Sequence, residues 1–392
     1  MTGPALPILD RERIPESTSG VLPRHRTRQV MVGNVPVGGD APVAVQSMCD
    51  TDTRDVNGTV KQIHEMEAAG CEIARVAVPD TDAAHALAQI RPRIHIPLVA
   101  DIHFDWRLAL LAARNGADKL RINPGNIGGQ AKIAEVVACA KDRGLPIRVG
   151  VNQGSIEKDL LDKYGGNNPD SLVESALRNV EMIAELDFHD IVLSLKSSNP
   201  AEAIAAYRSV SQKCDYPLHL GVTEAGPVKT GSLKSAVALG TLLAEGIGDT
   251  IRVSLTGPKS EEMEACWGIL QALGLRRRGP ELVSCPSCGR IEIDLLSLVE
   301  EVQSTLRNIQ SPLKVAVMGC VVNGPGEARD ADWGIFGGKG VYLLTRKGEI
   351  VERFTDRDAA KRALTAALVD ADARMVRESA VIAGTQSDTN IV

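Results

Sequence analysis

From residue 43 the chain repeats one pattern eight times, a short run rich in β-branched residues followed by an Ala/Leu-rich amphipathic stretch. The runs are VAVQSM (43–48), IARVAVP (73–79), LVADIH (98–103), KLRINPG (119–125), IRVGVNQG (147–154), IVLSLKSS (191–198), LHLGVTEAG (218–226) and TIRVSLTG (250–257). Stretches such as VKQIHEMEAAG (60–70) and AEAIAAYRSVSQKC (201–214) carry helical periodicity between them. Eight βα units in about 230 residues predict a TIM (β/α)8 barrel. A doubly wound open sheet would carry a Gly-rich fingerprint after its first strand, and here that strand runs into SMCDTDT. RQVMVGNVPVG (28–38) alternates around a Gly-Asn turn and predicts a hairpin that plugs the barrel bottom.

These patterns set the expected boundaries: an N-terminal extension over 1–27, the barrel over 28–274, and a charged Gly-Pro linker, LRRRGPELVS, over 275–284. A smaller α+β domain follows over 285–378, with strands near 313–318 and 340–345 and helices near 294–308 and 357–377. The polar segment 379–392 is expected to be a disordered tail.

Composition narrows the function. The net charge of −6 and an aromatic content of 3% argue against a nucleic-acid surface. No apolar run reaches membrane-spanning length, and the N-terminus lacks a signal-peptide core. A cytoplasmic protein is expected, with its eight cysteines as free thiols or ligands rather than disulfides.

In a parallel barrel alternate strand residues point inward, and chemistry sits at the C-terminal ends. By that parity Asp101 and His103 share a face, as do Arg121 with Asn123, Arg148 with Asn152, and Arg252 with Ser254. Arg75 lies within the second strand, Lys196 in the sixth, and Glu224 at the end of the seventh. One strand arginine is ordinarily a satisfied ion pair. Five cations on five strands (Arg75, Arg121, Arg148, Lys196, Arg252) need an anion to offset their burial. Guanidinium forks and a lysine suit phosphate oxygens, so the expected substrate is small and strongly anionic, such as a diphosphate. Asn123, Asn152 and Ser254 complete its hydrogen bonding, and Asp101 and His103 bind and orient it. Glu224 is the candidate proton donor. His219 is the weakest candidate, since parity turns it away from Glu224.

Cys71, Cys139, Cys214 and Cys266 fall in helical or junction contexts and read as small buried hydrophobes, while Cys49 is ambiguous. Cys285 and Cys288 in CPSCGR, with Cys320 in GCVVNGPGEAR, form a three-thiol set. A structural zinc would need a fourth Cys or His, and the second domain holds neither. The nearest oxygen donor is Glu327, in a turn that two glycines and a proline let fold back. Three thiolates and one labile carboxylate suit a 4Fe–4S cluster with one iron open to substrate. The residues alone also admit a non-redox barrel enzyme on a phosphorylated substrate with a zinc-stapled appendage.

CPSCGR and GCVVNGPGEAR, with SMCDTDTRD, ADIHF, RINPGN, VGVNQGS, LSLKSSNP, GVTEAG and IRVSLTG, resemble the family of 4-hydroxy-3-methylbut-2-enyl diphosphate synthases over roughly residues 28–355. The resemblance implies an iron–sulfur oxidoreductase of the non-mevalonate isoprenoid pathway. It would open the ring of 2-C-methyl-D-erythritol 2,4-cyclodiphosphate reductively, with loss of water. It further implies one 4Fe–4S cluster per chain and two electrons from reduced flavodoxin or ferredoxin. The expected assembly is a homodimer whose active site is shared between chains, because the eighth helix ends at the barrel bottom and the ten-residue linker spans at most about 35 Å.

Overall fold

Each of the eight runs forms a strand of one parallel sheet: Ala44–Met48, Ile73–Ala77, Leu98–Asp101, Lys119–Ile122, Ile147–Asn152, Ile191–Lys196, His219–Leu220 and Thr250–Ile251. The computed structural model describes residues 8–9, 20–320 and 329–387. The eighth strand lies between the seventh and the first, and a parallel bridge between Leu193 and Leu218 joins the sixth to the seventh. The sheet therefore closes on itself, as a (β/α)8 barrel requires. The strands stop short of the runs predicted for them, because at their C-terminal ends the chain peels away into loops. Asn123 caps a short helix, Pro124–Ile127, and Asn152 caps the turn Gln153–Ser155.

The barrel helices start where short polar side chains can satisfy free amide groups. Asp55, Asp80, Asp105, Asn168 and Asn199 each accept a backbone N–H at a helix N-cap. Their apolar faces, among them Ile63, Leu87, Ala109, Val136, Ile183, Val210, Leu242 and Leu270, pack on the outward-facing residues of the strands. The hairpin Val30–Val32/Val35–Val37 forms as expected. Its Val30, Val32 and Val37 pack on Ala44, Ile73, Val99 and Val192, near the strands' N-terminal ends, so the bottom is plugged and only the C-terminal mouth is left for a ligand.

Contacts divide the chain after Arg276 into two compact units. Leu275 and Arg276, expected in a linker, are buried in the barrel unit. Arg276 donates to the Val43 carbonyl at 2.8 Å and pairs with Glu72 at 2.7 Å, anchoring the chain beside the starts of the first two strands. Arg277–Arg278 pairs with the two-residue strand Ile8–Leu9, which the sequence left in an unassigned extension.

The second unit is a five-stranded sheet in the order Glu281–Ser284, Lys314–Met318, Trp333–Gly338, Val341–Arg346, Glu349–Phe354. Its first three strands run parallel and the last two join antiparallel. Leu295–Leu306 and Arg357–Ser387 are helices, and Leu298, Val302, Leu364 and Leu368 share one core with Val315, Ile335 and Leu344. Two features differ from expectation. Glu281–Ser284 is a strand rather than linker, its backbone pairing in parallel with Lys314–Val317. The last helix continues through Ser387, since no proline interrupts ESAVIAG and its Ala, Glu and Arg favour helix; only residues 388–392 of the expected tail lie outside the described residues. Among the described residues, no helix is long and apolar enough to cross a membrane.

Candidate active site and thiol donors

Parity brings Arg75, Arg121, Arg148 and Lys196 into the barrel interior, all buried, with Arg252 half-buried beside them on the extended chain after the eighth strand. Among the described residues a single carboxylate pairs with them. Asp101 accepts from Arg121 Nη1 at 3.1 Å, and its other oxygen lies 3.6 Å from Arg75 Nε and 3.4 Å from His103 Nε2. Burial alone would raise the Asp101 pKa. The Arg75 charge, the His103 hydrogen bond and the Arg121 and Arg148 charges overcome it and hold the carboxyl well below the usual carboxylate range. Burial, then the neighbouring Arg252, Arg148, Arg75 and Arg121 charges, push Lys196 far below its ordinary value.

The cations are short of acceptors. Arg148 is 1% exposed, and among the described residues neither its Nε nor its Nη1 has a hydrogen-bond partner; the same holds for the buried Nε atoms of Arg121 and Arg252. Arg75 directs Nε and Nη2 at the Met48 thioether, 3.0 and 2.6 Å away, which is a weak acceptor. Close approach of backbone makes room for this crowding. A Cβ at Gly150 would sit 2.6 Å from Arg121 Nε, and one at Gly221 would sit 3.1 Å from Lys196 Nζ. Buried guanidinium groups with open donors and one shared carboxylate form a receptor for a small polyanion.

Sequence reasoning missed the layer beneath. Lys119 is fully buried, with its Nζ 3.5 Å from Gln46 Oε1, and burial followed by the Arg148 and Arg75 charges pushes its pKa far down. The signal was present, since Lys119 shares parity with Arg121 and Asn123. His219 is also fully buried and points inward. Burial and the charges of Arg148, Lys196 and Lys119 keep its pKa well below the usual imidazole value. Parity separates it from Glu224, and the cations lie on His219's side.

The other expected residues take distinct positions. Asn123 is buried and already engaged, accepting from the Gly125 amide and donating to Ser155 Oγ at 2.9 Å. Asn152 and Ser155 form a reciprocal cap, so both asparagines shape the loops that rim the pocket. Ser254 is half-buried after the eighth strand, and His103 is exposed at the rim. Glu224 is exposed with φ +53, a left-handed conformation unfavourable for a residue with a side chain. Such strain marks segments held by their surroundings for a purpose. The inward parity of His219 and Gly221 does not extend to Glu224.

In the second unit the parallel pairing of Ser284 with Val317 brings Cys285 and Cys320 to the same end of adjacent strands, with Cys288 in the turn after Cys285. The Gly319 amide donates to Cys285 Sγ at 3.2 Å, the kind of bond that favours a thiolate ligand. The three sulfurs do not all lie within 4.8 Å of one another. Thiolates spread over the separate irons of a cluster need no such convergence. By contrast Cys49, Cys71 and Cys266 are buried in the barrel, and burial pushes each thiol up to about 12. They are packing residues, inert as ligands. Glu327, the expected fourth ligand, lies outside the described residues.

Together these features define a two-part barrel protein, with an anion receptor inside a (β/α)8 unit and a thiol-donor set on an α+β unit. The GcpE TIM-barrel domain matches residues 27–267 and the GcpE protein C-terminal domain matches residues 281–368. The chain belongs to the GcpE family. It is 58% identical over 335 residues to a Clostridium perfringens protein, covering 86% of this chain and 96% of that one. It is 57% identical over 335 residues to one from Geobacter sulfurreducens, covering 86% and 95%. Both relatives are named 4-hydroxy-3-methylbut-2-en-1-yl diphosphate synthase (flavodoxin).

Proposed function

We infer that this chain performs the reaction for which its relatives are named, making 4-hydroxy-3-methylbut-2-enyl diphosphate by reductive ring opening of 2-C-methyl-D-erythritol 2,4-cyclodiphosphate. The observation that carries the reading is the set of buried guanidinium atoms on Arg121, Arg148 and Arg252 that, among the described residues, have no partner and surround one carboxylate. The reaction balances with two electrons and one proton. A ring C–O bond opens, the diphosphate stays on the product, and one hydroxyl leaves as water.

Arg75, Arg121, Arg148, Lys196 and Arg252 hold the diphosphate oxygens, each hydrogen bond to a charged group contributing about 1.5–3 kcal/mol. Asp101 keeps the Arg75 and Arg121 forks aligned for that anion. Asn123, Asn152 and Ser254 fix the rim and the remaining polar contacts. Glu224, exposed at the end of the seventh strand, supplies the proton to the departing hydroxyl.

Cys285, Cys288 and Cys320, with Glu327 as the labile fourth ligand, would hold one 4Fe–4S cluster per chain. The donor chemistry fits, with three thiols, one of them held by a backbone N–H, and no histidine in the second unit. When bound, the cluster supplies single electrons and a Lewis-acidic iron. Reduced flavodoxin is the expected donor, ferredoxin the alternative, and the cytoplasm the expected compartment.

The expected assembly is a homodimer in which each cluster-bearing unit serves the partner's barrel. Arg276 anchors the end of the barrel unit beside the starts of the first two strands, whereas the anion pocket opens at the other end of the barrel. Anaerobic incubation of cluster-loaded protein with the cyclodiphosphate and reduced flavodoxin or ferredoxin tests the function. Formation of the allylic diphosphate is the expected result, and intact substrate with both donors rejects the reading.

A further inference from the structure

A second set of donor groups lies on the barrel surface near the strands' N-terminal ends, away from the anion pocket. His64 and Glu67 are three residues apart near the end of the helix Val56–Ala68, on one face of it. His95 comes from the loop between the turn Arg91–Arg93 and the third barrel strand. One ring nitrogen from each histidine and one carboxylate oxygen of Glu67 lie within 4.8 Å of one another.

The hydrogen bonds around them fix the tautomers. His64 Nε2 lies 2.8 Å from the Arg93 carbonyl, which can only accept, so Nε2 carries the proton and Nδ1 keeps its lone pair. His95 Nδ1 lies 3.0 Å from Glu67 Oε2 and donates to it in the ion-free protein, so an ion held between these two atoms takes the place of that proton, which moves to His95 Nε2. Glu67 itself is anchored through Oε1, which accepts from the His95 and Ile96 amides at 2.9 and 3.1 Å. The two rings stack with centroids 5.6 Å apart. Two imidazole nitrogens, a carboxylate oxygen, and the Arg93 carbonyl and backbone amides that orient His64 and Glu67 are what a histidine-rich metal site requires.

We propose that His64, Glu67 and His95 form a second metal site that takes a borderline divalent ion, zinc above all, with water completing its coordination. The ion ties the first barrel helix to the loop that leads into the third strand. The site is independent of the cluster thiols and of the reading of the anion pocket.

The test is a zinc titration of the cluster-loaded holoenzyme under anaerobic conditions, after removal of adventitious ions, in competition with a chromophoric zinc indicator. The wild-type protein is compared with His64→Ala, His95→Ala and Glu67→Gln, where the glutamine keeps the oxygen that accepts the two amides. Wild type should bind one zinc per chain that each variant binds at least tenfold more weakly, since even outer partners of a metal ligand carry 10–100-fold in affinity. Zinc should also raise the melting temperature of wild type but not of His95→Ala. Equal zinc affinity in wild type and His95→Ala would overturn the site. Equal affinity in Glu67→Gln would reduce it to a histidine pair and overturn the three-ligand assignment.

Discussion

Gly150 lies directly beneath Arg121: its carbonyl accepts from Arg121 Nη2 at 3.3 Å, and a methyl group at residue 150 would meet Arg121 Nε at 2.6 Å. The guanidinium can therefore lie flat on the fifth strand only because that position has no side chain. Gly150→Ala should displace Arg121 from Asp101 while the barrel still forms. Binding of the cyclodiphosphate, or of inorganic pyrophosphate as a probe, should weaken by roughly tenfold or more, the loss of one charged hydrogen bond. Calorimetry with unchanged affinity would remove Arg121 from the pocket.

Asp101 is the counter-charge that lets the cations be buried without a ligand. Asp101→Asn should cost about 3–5 kcal/mol in urea unfolding of the ligand-free protein, because it leaves Arg75 and Arg121 buried without an anion. Pyrophosphate should restore part of the loss in the variant. The sign with pH follows from the depressed pKa. The stabilisation by Asp101 is fully present above the unfolded carboxylate value near 3.9, and it is lost only as pH falls below that toward the folded value. Between pH 5 and 9 the Asp101 contribution should be flat.

Lys119 predicts the opposite sign. It is fully buried with one distant acceptor, so Lys119→Met should leave the empty protein as stable or more stable, by up to about 4 kcal/mol, while pyrophosphate binding weakens. Its folded pKa is below the unfolded lysine value, so the unfolded chain binds more protons in the interval between them. Stability then rises with pH from neutrality toward about 10.4, and that rise should be shallower in Lys119→Met. Urea titrations at several pH values measure the slope directly.

How far these residues could be read from the sequence depended on what each signal required. The strand runs were legible because β-branched residues, period and spacing agree, and Arg121 or Arg148 followed from period two alone. Lys119 obeyed the same parity but sat at the start of its run, where a lysine looks like an ordinary solvated end. The strand Trp333–Gly338 was hidden by its glycines, and Glu349–Phe354 by a largely exposed edge whose alternation is weak. Glu281–Ser284 looked like linker because two residues before it a Gly-Pro turn breaks the chain. The role of Asn123 and Asn152 in capping loops depended on the turns after each strand, which parity does not encode.

The thiols separate by environment. Cys285→Ala, Cys288→Ala and Cys320→Ala should each lose iron, sulfide and the absorbance near 400 nm of a cluster. Cys71→Ala and Cys266→Ala should keep all three, since those side chains are buried in the barrel. Glu327→Cys should retain a cluster but lose turnover, because a fourth thiolate does not give way to substrate. Full activity in Glu327→Cys would exclude Glu327 as the labile ligand.

The shared active site can be tested by mixing two disabled chains. Cys320→Ala removes a cluster ligand and leaves the barrel intact; Lys196→Ala weakens the anion pocket and leaves the cluster unit intact. Arg276 pins the chain beside Val43 and Glu72, near the starts of the first two strands, whereas the pocket opens at their other ends. In a two-fold dimer each heterodimer would pair one intact barrel with one intact cluster unit. Half of the dimers in a statistical mixture are heterodimers, each with one of two sites complete, so co-expression should recover up to roughly a quarter of full activity. If each chain completes its own site, neither mutant carries both parts, and the mixture should stay as inactive as its components.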